Sequence, residues 1–379
     1  MSLHASQLRT LSARRVFRAL LMAGGTSRAD LARATHLSAV TVGKIVDEML
    51  GRGLVREEET QPPGGSQSRG GTMGRPPRTL HLGGKRRFLA VELGVRRTQV
   101  AWVGIDGTPL LPIQSFPTPE SVSDWRTKLA EMRLTFDGHA DRMLLSLPGV
   151  FDAERGELIC SPNLPWSEGR QLLEAAADAG GAPVIAVQEI QALALGHRAS
   201  GRAADSFVLV DFGDGVGGAV MTGGELLHSP LPLCGELGHT GVHGNRRRCA
   251  CGAVGCLETL VSRQGLLQSF QAASGSKAAS WDDLRERVQR HGAEAWLLPS
   301  LDAAGSVLAG AINLLGIQSL VLTGDLPGLH PDIGRILTER AVQHSLIGRF
   351  GKLDGEVAPR RRIQGLITAA EDYLLQPEA

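Results

Sequence analysis

Three of the five cysteines in this 379-residue chain lie within eight positions, in the segment GELGHTGVHGNRRRCACGAVGCLE. Cys249, Cys251 and Cys256 can supply three thiolate ligands to a metal ion, and on sequence alone His239 or His243 serves equally well as a fourth. A closed set of four Cys and His ligands is typical of structural zinc, since it leaves no position for a substrate or an activated water. Thiol redox chemistry is the alternative, and the neighbouring histidines favour a metal.

The cysteines and the charge distribution limit the class of protein that this chain can be. An odd, clustered set of cysteines does not suggest a secreted disulfide framework. The N-terminal segment lacks the features of a secretion signal, and no apolar run approaches the length of a membrane span, so we expect a cytoplasmic protein with no membrane partner. Residues 1–85 contain 13 Lys and Arg against 6 Asp and Glu, a net +7, so the remainder carries −6 of the total +1. This asymmetry predicts a polyanion-binding head on a body of different function.

The basic N-terminal part has the pattern of a helix-turn-helix. The segments LSARRVFRALL and RADLARATH favour two helices, and Ser38 is the natural N-cap of a third. Apolar residues recur on one face of that third helix, at Val42, Ile45, Val46, Met49 and Leu50. Residues at its N-terminal end would face base edges in the major groove, namely Ser38, Ala39, Thr41 and Lys44. A three-helix bundle without a DNA-binding role is the alternative.

A β-hairpin wing is predicted to follow, from the strand-like segments GRGLVREEE and PRTLHL. Its tip, residues 61–77, is too rich in Gly, Pro and Ser to pack. Within the tip, GRPP resembles short Gly-Arg-Pro hooks that insert an arginine into a narrow minor groove, which gives Arg75 that role and Arg69 a weaker phosphate contact. A solvated loop is the alternative for both. We predict a winged helix-turn-helix domain over residues 1–84.

Strand and helix patterns alternate in two similar series beyond residue 84, which predicts a duplicated α/β body. We expect a first lobe formed by residues 85–205 and completed by a C-terminal helix at about 363–379. The second lobe, residues 206–362, would hold the metal site.

Four motifs resemble those of the ROK family of repressors, open reading frames and kinases. They are SLPGVFDAERGELICSPNLPW, DFGDGVGGAV, GELGH and CACGAVGCLE, and the last is the most specific. Together with the head, they make the chain similar to the repressors of that family. The resemblance implies an α/β fold of the actin-like, ribonuclease-H-like type, a two-lobed sugar-kinase fold with a sugar cleft, preceded by the winged helix-turn-helix. It also selects His239 over His243 as the fourth metal ligand.

The resemblance places a monosaccharide among residues from several motifs, namely Gly149, Asn163, Gln188, Glu189, Glu236, His239 and Glu258. Carboxylates and amides suit this role because they bind adjacent hydroxyls bidentately. Gln188 and Glu189 stand where kinases of the family have Asn-Asp, and that Asp is the general base. Each side chain is one methylene longer than the family residue, and the reaction rate falls when a general base is displaced. A surface position is the alternative for Glu236 and Glu258.

Three turns that bind ATP in family kinases are altered in this sequence. The first, Asp-x-Gly-Gly-Thr in the kinases, ends here in Val95-Arg96 and begins with Glu92. The second keeps its glycines, but Asp214 replaces a small hydroxyl and should repel phosphate. The third keeps only Gly324.

We therefore predict a sugar-responsive repressor of carbohydrate-metabolism genes, and no enzyme. Its partners would be operator DNA, a monosaccharide effector and further copies of the chain, as a homodimer or a dimer of dimers, because one head makes too few base contacts for selective binding. A sugar kinase that carries a DNA-binding head and a regulator whose body is an interaction platform are the alternatives.

Overall fold

A computed structural model describes residues 5–59, 78–201, 203–227, 229 and 231–375. The helices are α1 (Ala5–Ala23), α2 (Arg28–Thr35), α3 (Ala39–Gly51), α4 (Val122–Arg133), α5 (Gln171–Gly180), α6 (Glu189–Arg198), α7 (Glu258–Val261), α8 (Arg263–Ser274), α9 (Trp281–His291), α10 (Leu298–Leu315), α11 (Asp325–Gly328), α12 (Pro331–Gln343), α13 (Arg362–Ala369) and α14 (Glu371–Leu375). The strands are β1 (Val55–Glu59), β2 (Arg78–Leu82), β3 (Arg87–Leu93), β4 (Arg97–Gly104), β5 (Gln114–Pro117), β6 (Arg142–Leu147), β7 (Val150–Asp152), β8 (Glu157–Cys160), β9 (Val184–Gln188), β10 (Phe207–Phe212), β11 (Val216–Thr222), β12 (Glu225–Leu226), β13 (Ser319–Gly324) and β14 (Asp354–Val357).

The N-terminal elements form the predicted helix-turn-helix. The hydroxyls of Ser27 and Ser38 accept hydrogen bonds from the backbone N–H groups of Asp30 and Thr41, which caps α2 and α3. His36, with φ of 54°, makes the left-handed turn between the two helices. The helix α1 begins at Ala5, six residues before the predicted start. The prediction rested on apolar periodicity, which does not extend to the exposed residues 8–10 that precede the predicted start.

The wing strands also form as predicted. β1 and β2 pair antiparallel, from Val55 opposite Leu82 to Glu59 opposite Arg78. The predicted wing tip, residues 61–77, with the minor-groove residue Arg75 and the phosphate contact Arg69, lies outside the described residues.

Two five-stranded sheets of identical strand order build the body. One has the order β5-β4-β3-β6-β9 and the other β12-β11-β10-β13-β14. In both, the first three strands pair antiparallel and the last two join in parallel. This repetition is the duplicated α/β body that the sequence predicted.

Side chains that alternate along the strands divide the packing between the two faces of the first sheet. Leu89 and Val91 pack into the core that contains Trp125 of α4. Phe88 and Ala90 point the other way and join a core that contains residues of α6 and α13. The helix α6 also contacts β10 and β11 of the second sheet, so it lies between the two sheets.

The head and the first sheet share one continuous hydrophobic core. Phe17 and Leu20 of α1 belong to the same buried cluster as Phe88 of β3 and Leu374 of α14. The head is therefore packed against the body through the C-terminal helix, and its position depends on where that helix lies.

One helix among the described residues, α10, is long and apolar enough to cross a membrane by length and composition, with a mean hydropathy of 1.3. The criterion is an average over 18 residues, and α10 meets it although Asp302 and Asn313 interrupt its apolar run, so a search for uninterrupted runs did not detect it. Leu301, Leu308 and Ile312 of α10 are buried in the core of the second sheet. A core helix of a globular protein meets the same criterion.

Two glycines let α6 and α13 pack backbone to backbone. A Cβ at Gly365 would overlap the carbonyl oxygen of Ala192, and one at Gly196 would overlap that of Arg361. We expect Gly365→Ala to lower the free energy of unfolding by about 1–3 kcal/mol or more, because neither backbone can move aside. Gly310→Ala is the matched control. Gly310 lies in α10 with nothing within 4 Å of an added Cβ, so this change should stabilise by roughly 0.5–1 kcal/mol. Urea unfolding of both variants measures the difference, and equal effects would contradict the packing argument.

Candidate functional site

Four potential metal ligands converge next to the cleft. One donor atom each from His239, Cys249, Cys251 and Cys256 lies within 4.8 Å of the other three. The Nδ1 atom of His239 is 3.7 Å from the Sγ of Cys249, and the Sγ atoms of Cys251 and Cys256 are 3.8 Å apart. These separations suit a tetrahedral ion held by three sulfurs and one nitrogen. The group contains His239 and not His243.

The local backbone explains how three thiols can point to one place. Gly252 and Gly255 have φ values of 91° and 93°, which side chains with a Cβ rarely adopt. The N–H of Cys249 donates to the carbonyl of Ala253, which closes the turn. Burial raises the pKa of the Cys256 thiol to about 12. A divalent cation among the four donors would lower that value, because it stabilises the thiolate.

His239 also faces the cleft between the lobes. Its Nε2 atom is 3.8 Å from the Oε2 of Glu236, whose pKa is raised by burial. The Oε2 of Glu258 accepts a hydrogen bond of 2.9 Å from the backbone N–H of Val216 in the second sheet. The metal-ligand segment, from Gly235 to Glu258, therefore sets the positions of two carboxylates that border the cleft.

The cleft has a volume of about 540 Å³ and contains most of the predicted sugar contacts. Those that line it are Gly149, Asn163, Glu189, Glu236, His239 and Glu258. Gln188 does not line it. Its side chain is 3% exposed and donates a 2.9 Å hydrogen bond to the carbonyl of Gly149. Gln188 thus supports the loop that carries Gly149.

The two altered phosphate turns meet each other across the cleft. The Nε of Arg96, in the turn between β3 and β4, is 2.8 Å from the Oδ1 of Asp214, in the turn between β10 and β11. Each of these residues looked like an independent departure from the kinase pattern. The structure makes them a single ion pair between the lobes.

Two arginines that sequence reasoning missed fill the same part of the cleft. Arg360 forms two hydrogen bonds with Asp211, of 2.7 and 2.9 Å. Arg362 bonds to Glu189 and lies 3.9 Å from the Oε2 of Glu92. Burial raises the pKa of the Glu92 carboxyl. The only available signal was the run of three arginines from 360 to 362, directly before a helix of small and apolar residues.

The predicted DNA-reading residues share the exposed face of α3. Ala39 and Lys44 are exposed, while the hydroxyls of Ser38 and Thr41 bond to each other at 2.8 Å as part of the helix cap. The prediction missed Val40, which is 69% exposed on the same helix end. An exposed valine next to a helix cap was visible in the sequence, but it fell outside the apolar stripe that defined the buried face.

These features define a winged helix-turn-helix head joined to a two-lobed body with a polar cleft and a Cys₃His cluster. The chain belongs to the ROK family, whose model matches residues 88–359. Residues 9–64 match a model of the MarR family.

Known relatives include both regulators and enzymes. The DNA-binding transcriptional repressor Mlc of Escherichia coli (strain K12) is 30% identical over 287 residues, which cover 71% of this chain and 67% of Mlc. A glucokinase of Thermotoga maritima is 26% identical over 306 residues, which cover 76% of this chain and 96% of the kinase. A solved ROK family transcriptional regulator, a homologue of E. coli Mlc, superposes with a TM-score of 0.73 at 20% identity over 97% of both chains. That likeness confirms the predicted two-lobed actin-like fold with its N-terminal head.

The pairing of Arg360 with Asp211 gives a test of how the cleft is held. Asp211 is 9% exposed, so Arg360→Met would leave a buried carboxylate without its partner. We expect a loss of about 2 kcal/mol, below the ~3–5 kcal/mol of a fully buried pair because the Arg360 side chain keeps 27% of its surface in water. Adding Asp211→Asn should restore part of the loss, since no charge is then stranded. Urea unfolding of the two single variants and the double variant measures the coupling, and additive losses would show that the pair is not a unit.

Proposed function

We propose that this protein is a transcriptional repressor of carbohydrate-metabolism genes whose affinity for operator DNA is altered by a monosaccharide in the cleft. One observation carries this proposal. Asn163, Glu236 and Glu258 line the cleft together, and arginine–carboxylate pairs line the same cleft, one of them between the two altered turns. The cleft keeps groups that bind hydroxyls, while an ion pair occupies the turns that bind phosphate in the kinases. Such a cleft suits ligand sensing better than phosphoryl transfer.

Sugar binding is supported by the chemistry of the residues that line the cleft. Amide and carboxylate groups of Asn163, Glu236 and Glu258 offer donors and acceptors to adjacent hydroxyls, and a site with such groups discriminates against analogues that lack a hydroxyl. We propose direct contacts for Gly149, Asn163, Glu189, Glu236, His239 and Glu258. Gln188 would act through the Gly149 carbonyl instead of touching the sugar.

A kinase activity is disfavoured by charge. Seven carboxylates and four arginines line the cleft, which leaves three net negative charges. The carboxylates are Glu92, Glu189, Asp211, Asp214, Glu236, Glu258 and Asp325, and the arginines are Arg96, Arg97, Arg360 and Arg362. A negatively charged cleft repels the phosphates of ATP. Glu189, at the position of the general base in the kinases, is engaged by Arg362 and so is not free to accept a proton. We therefore propose no enzymatic activity, although relatives such as the glucokinase keep the kinase as the alternative.

The head would bind the operator. Ser38, Ala39, Thr41 and Lys44 would approach base edges in the major groove, and the exposed methyl groups of Val40 suit the C5-methyl of thymine. Arg75 would enter the minor groove and Arg69 would contact a phosphate. A homodimer or a dimer of dimers would match a palindromic site, which increases selectivity. We propose that the head comprises residues 1–84, the first lobe residues 85–205 with about 363–379, and the second lobe residues 206–362. We also propose that the protein is cytoplasmic and has no membrane partner.

His239, Cys249, Cys251 and Cys256 would hold a structural Zn²⁺ ion. The ion would fix the turn that they share and, with four protein ligands, would leave no open coordination position for catalysis. Coordination by Nδ1 of His239 would leave Nε2 for the cleft, so the metal would also fix the tautomer of that ring.

The repressor proposal predicts that a sugar changes DNA affinity. A duplex enriched from a randomised pool by the full-length protein provides the DNA probe. We expect D-glucose or another common monosaccharide to weaken its binding by about 5- to 150-fold, the usual range of an allosteric coupling. Fluorescence anisotropy across a sugar panel measures the change, and the same samples with ATP should release no ADP. If no monosaccharide alters DNA affinity, the proposal is wrong, and sugar-dependent ADP release would favour the kinase.

The zinc proposal predicts a loss of both metal and sugar binding on Cys256→Ser. Purified wild-type protein should contain about one zinc per chain by elemental analysis, and the variant should contain almost none. Its melting temperature and sugar affinity should fall together, because Glu236 and Glu258 flank the metal ligands. Cys234→Ser, outside the cluster, is the control and should keep its zinc. A zinc-free variant with full sugar affinity would break the proposed link between metal and pocket.

A further inference from the structure

The last two helices of the described chain connect the cleft to the recognition helix. α13 begins at Arg362 in the cleft, and α14 ends at Leu375 beside the head, with only Ala370 between the two helices. At 1.5 Å per residue, the two helices together span roughly 20 Å. This segment, α13–α14, has no part in the sequence-based assignment of sugar or DNA contacts.

At the cleft end, the segment is fixed to a predicted sugar contact. Arg362, the first residue of α13, bonds to Glu189, the first residue of α6. The Arg362 side chain is 16% exposed, so little water is available to replace that partner. A sugar hydroxyl that bonds to Glu189 must share or displace this guanidinium. Sugar binding therefore acts directly on the start of α13.

Along its length, the segment cannot absorb such a displacement. The backbone of α13 touches that of α6 at Gly365, and Leu366 and Ile367 are buried. Ala370 and Leu374 are fully buried in the core that α14 shares with the head. A tightly packed helix moves as a unit, because the surrounding core has no voids for it to deform into.

At the head end, the segment holds the C-terminal end of the recognition helix. Arg52 is the C-cap residue of α3, and its guanidinium donates to the carbonyl oxygens of Leu374 at 2.6 Å and Leu375 at 3.1 Å. Arg18 of α1 bonds to Glu371 of α14, at 2.6 Å from its Nε. The helix α1 and the C-cap residue of α3 are thus joined to α14 by arginine side chains.

Three further contacts tie this junction to the rest of the molecule. Arg18 also pairs with Glu225 of β12 in the second lobe, at 2.6 Å. Arg86, which follows the wing, donates to the hydroxyl of Tyr373 at 3.0 Å, and the guanidinium of Arg142 lies 4.1 Å from the centre of the same ring. Movement of one lobe against the other must therefore strain or release the junction.

We propose that α13–α14 transmits occupation of the cleft to the recognition helix, and that Arg52 is the positioning residue at its head end. This inference rests on the proposed function and specifies how sugar binding would change DNA affinity. An ion pair holds the cleft end of the segment and the hydrogen bonds of Arg52 hold its head end, so displacement at Glu189 has a continuous path of direct contacts to the C-cap of α3.

Arg52→Gln tests the link, because it shortens the side chain and removes the cationic fork without touching the cleft. We expect sugar affinity, measured by calorimetry, and DNA affinity without sugar each to stay within about 3-fold of wild type. The change in DNA affinity caused by saturating D-glucose, or by whichever panel sugar is most effective, should fall from about 5- to 150-fold to below about 3-fold. Arg52→Lys, which can keep one carbonyl contact, should restore part of the response.

Two further variants make the result decisive. Arg126→Gln, the same change at an exposed ion pair of α4, should respond to sugar like wild type. Tyr373→Phe removes the hydroxyl that Arg86 donates to, and should reduce the response in part. It takes over as the deciding variant if Arg52→Gln does not fold.

The outcomes separate the two proposals. A wild-type protein that responds to sugar and an Arg52→Gln variant that responds equally would overturn the link while leaving the repressor function intact. A wild-type protein whose DNA affinity no sugar changes would overturn the repressor function, and this inference with it. Loss of response at unchanged sugar affinity is not expected from a merely structural role for Arg52, which would lower both affinities together.

Discussion

The need to pair buried charges determines the geometry of the cleft. Arg360 and Arg362 lie only two residues apart, yet they pair with carboxylates from different lobes, Asp211 in β10 and Glu189 in α6. An unpaired charge at such positions costs about 2 kcal/mol, so the two arginines hold the start of α13 between the lobes. Because α13 is followed directly by α14, and α14 packs on α1 and bonds to Arg52 at the end of α3, this pairing also affects where the head lies.

The metal-ligand segment adds a second constraint on the same cleft. Its turn brings Cys249, Cys251 and Cys256 to His239, whose other ring nitrogen faces Glu236. We propose that the cluster holds a structural metal ion and that its position in the chain places the cleft carboxylates. On this proposal, metal ligands lie between residues that would bind a sugar without taking part in any chemistry.

Departures from the kinase pattern make physical sense when they are considered together. Arg96 alone would crowd a phosphate turn, and Asp214 alone would repel a phosphate. As a pair across the cleft, each balances the charge of the other. Glu189 likewise bonds to Arg362, and we propose that this contact and the extra methylene withdraw it from the role of a base.

The sequence by itself determined the local features of this protein. Helical periodicity and the cap at Ser38 defined the helix-turn-helix, and the spacing of Cys249, Cys251 and Cys256 defined the cluster, because these signals act over a few residues of chain. Only the tertiary structure decided that Gln188 turns towards the Gly149 carbonyl, and that Arg52 reaches Leu374, 322 positions away. Pairing between distant residues depends on the packing of whole elements, and a single sequence contains no period or spacing that reports it.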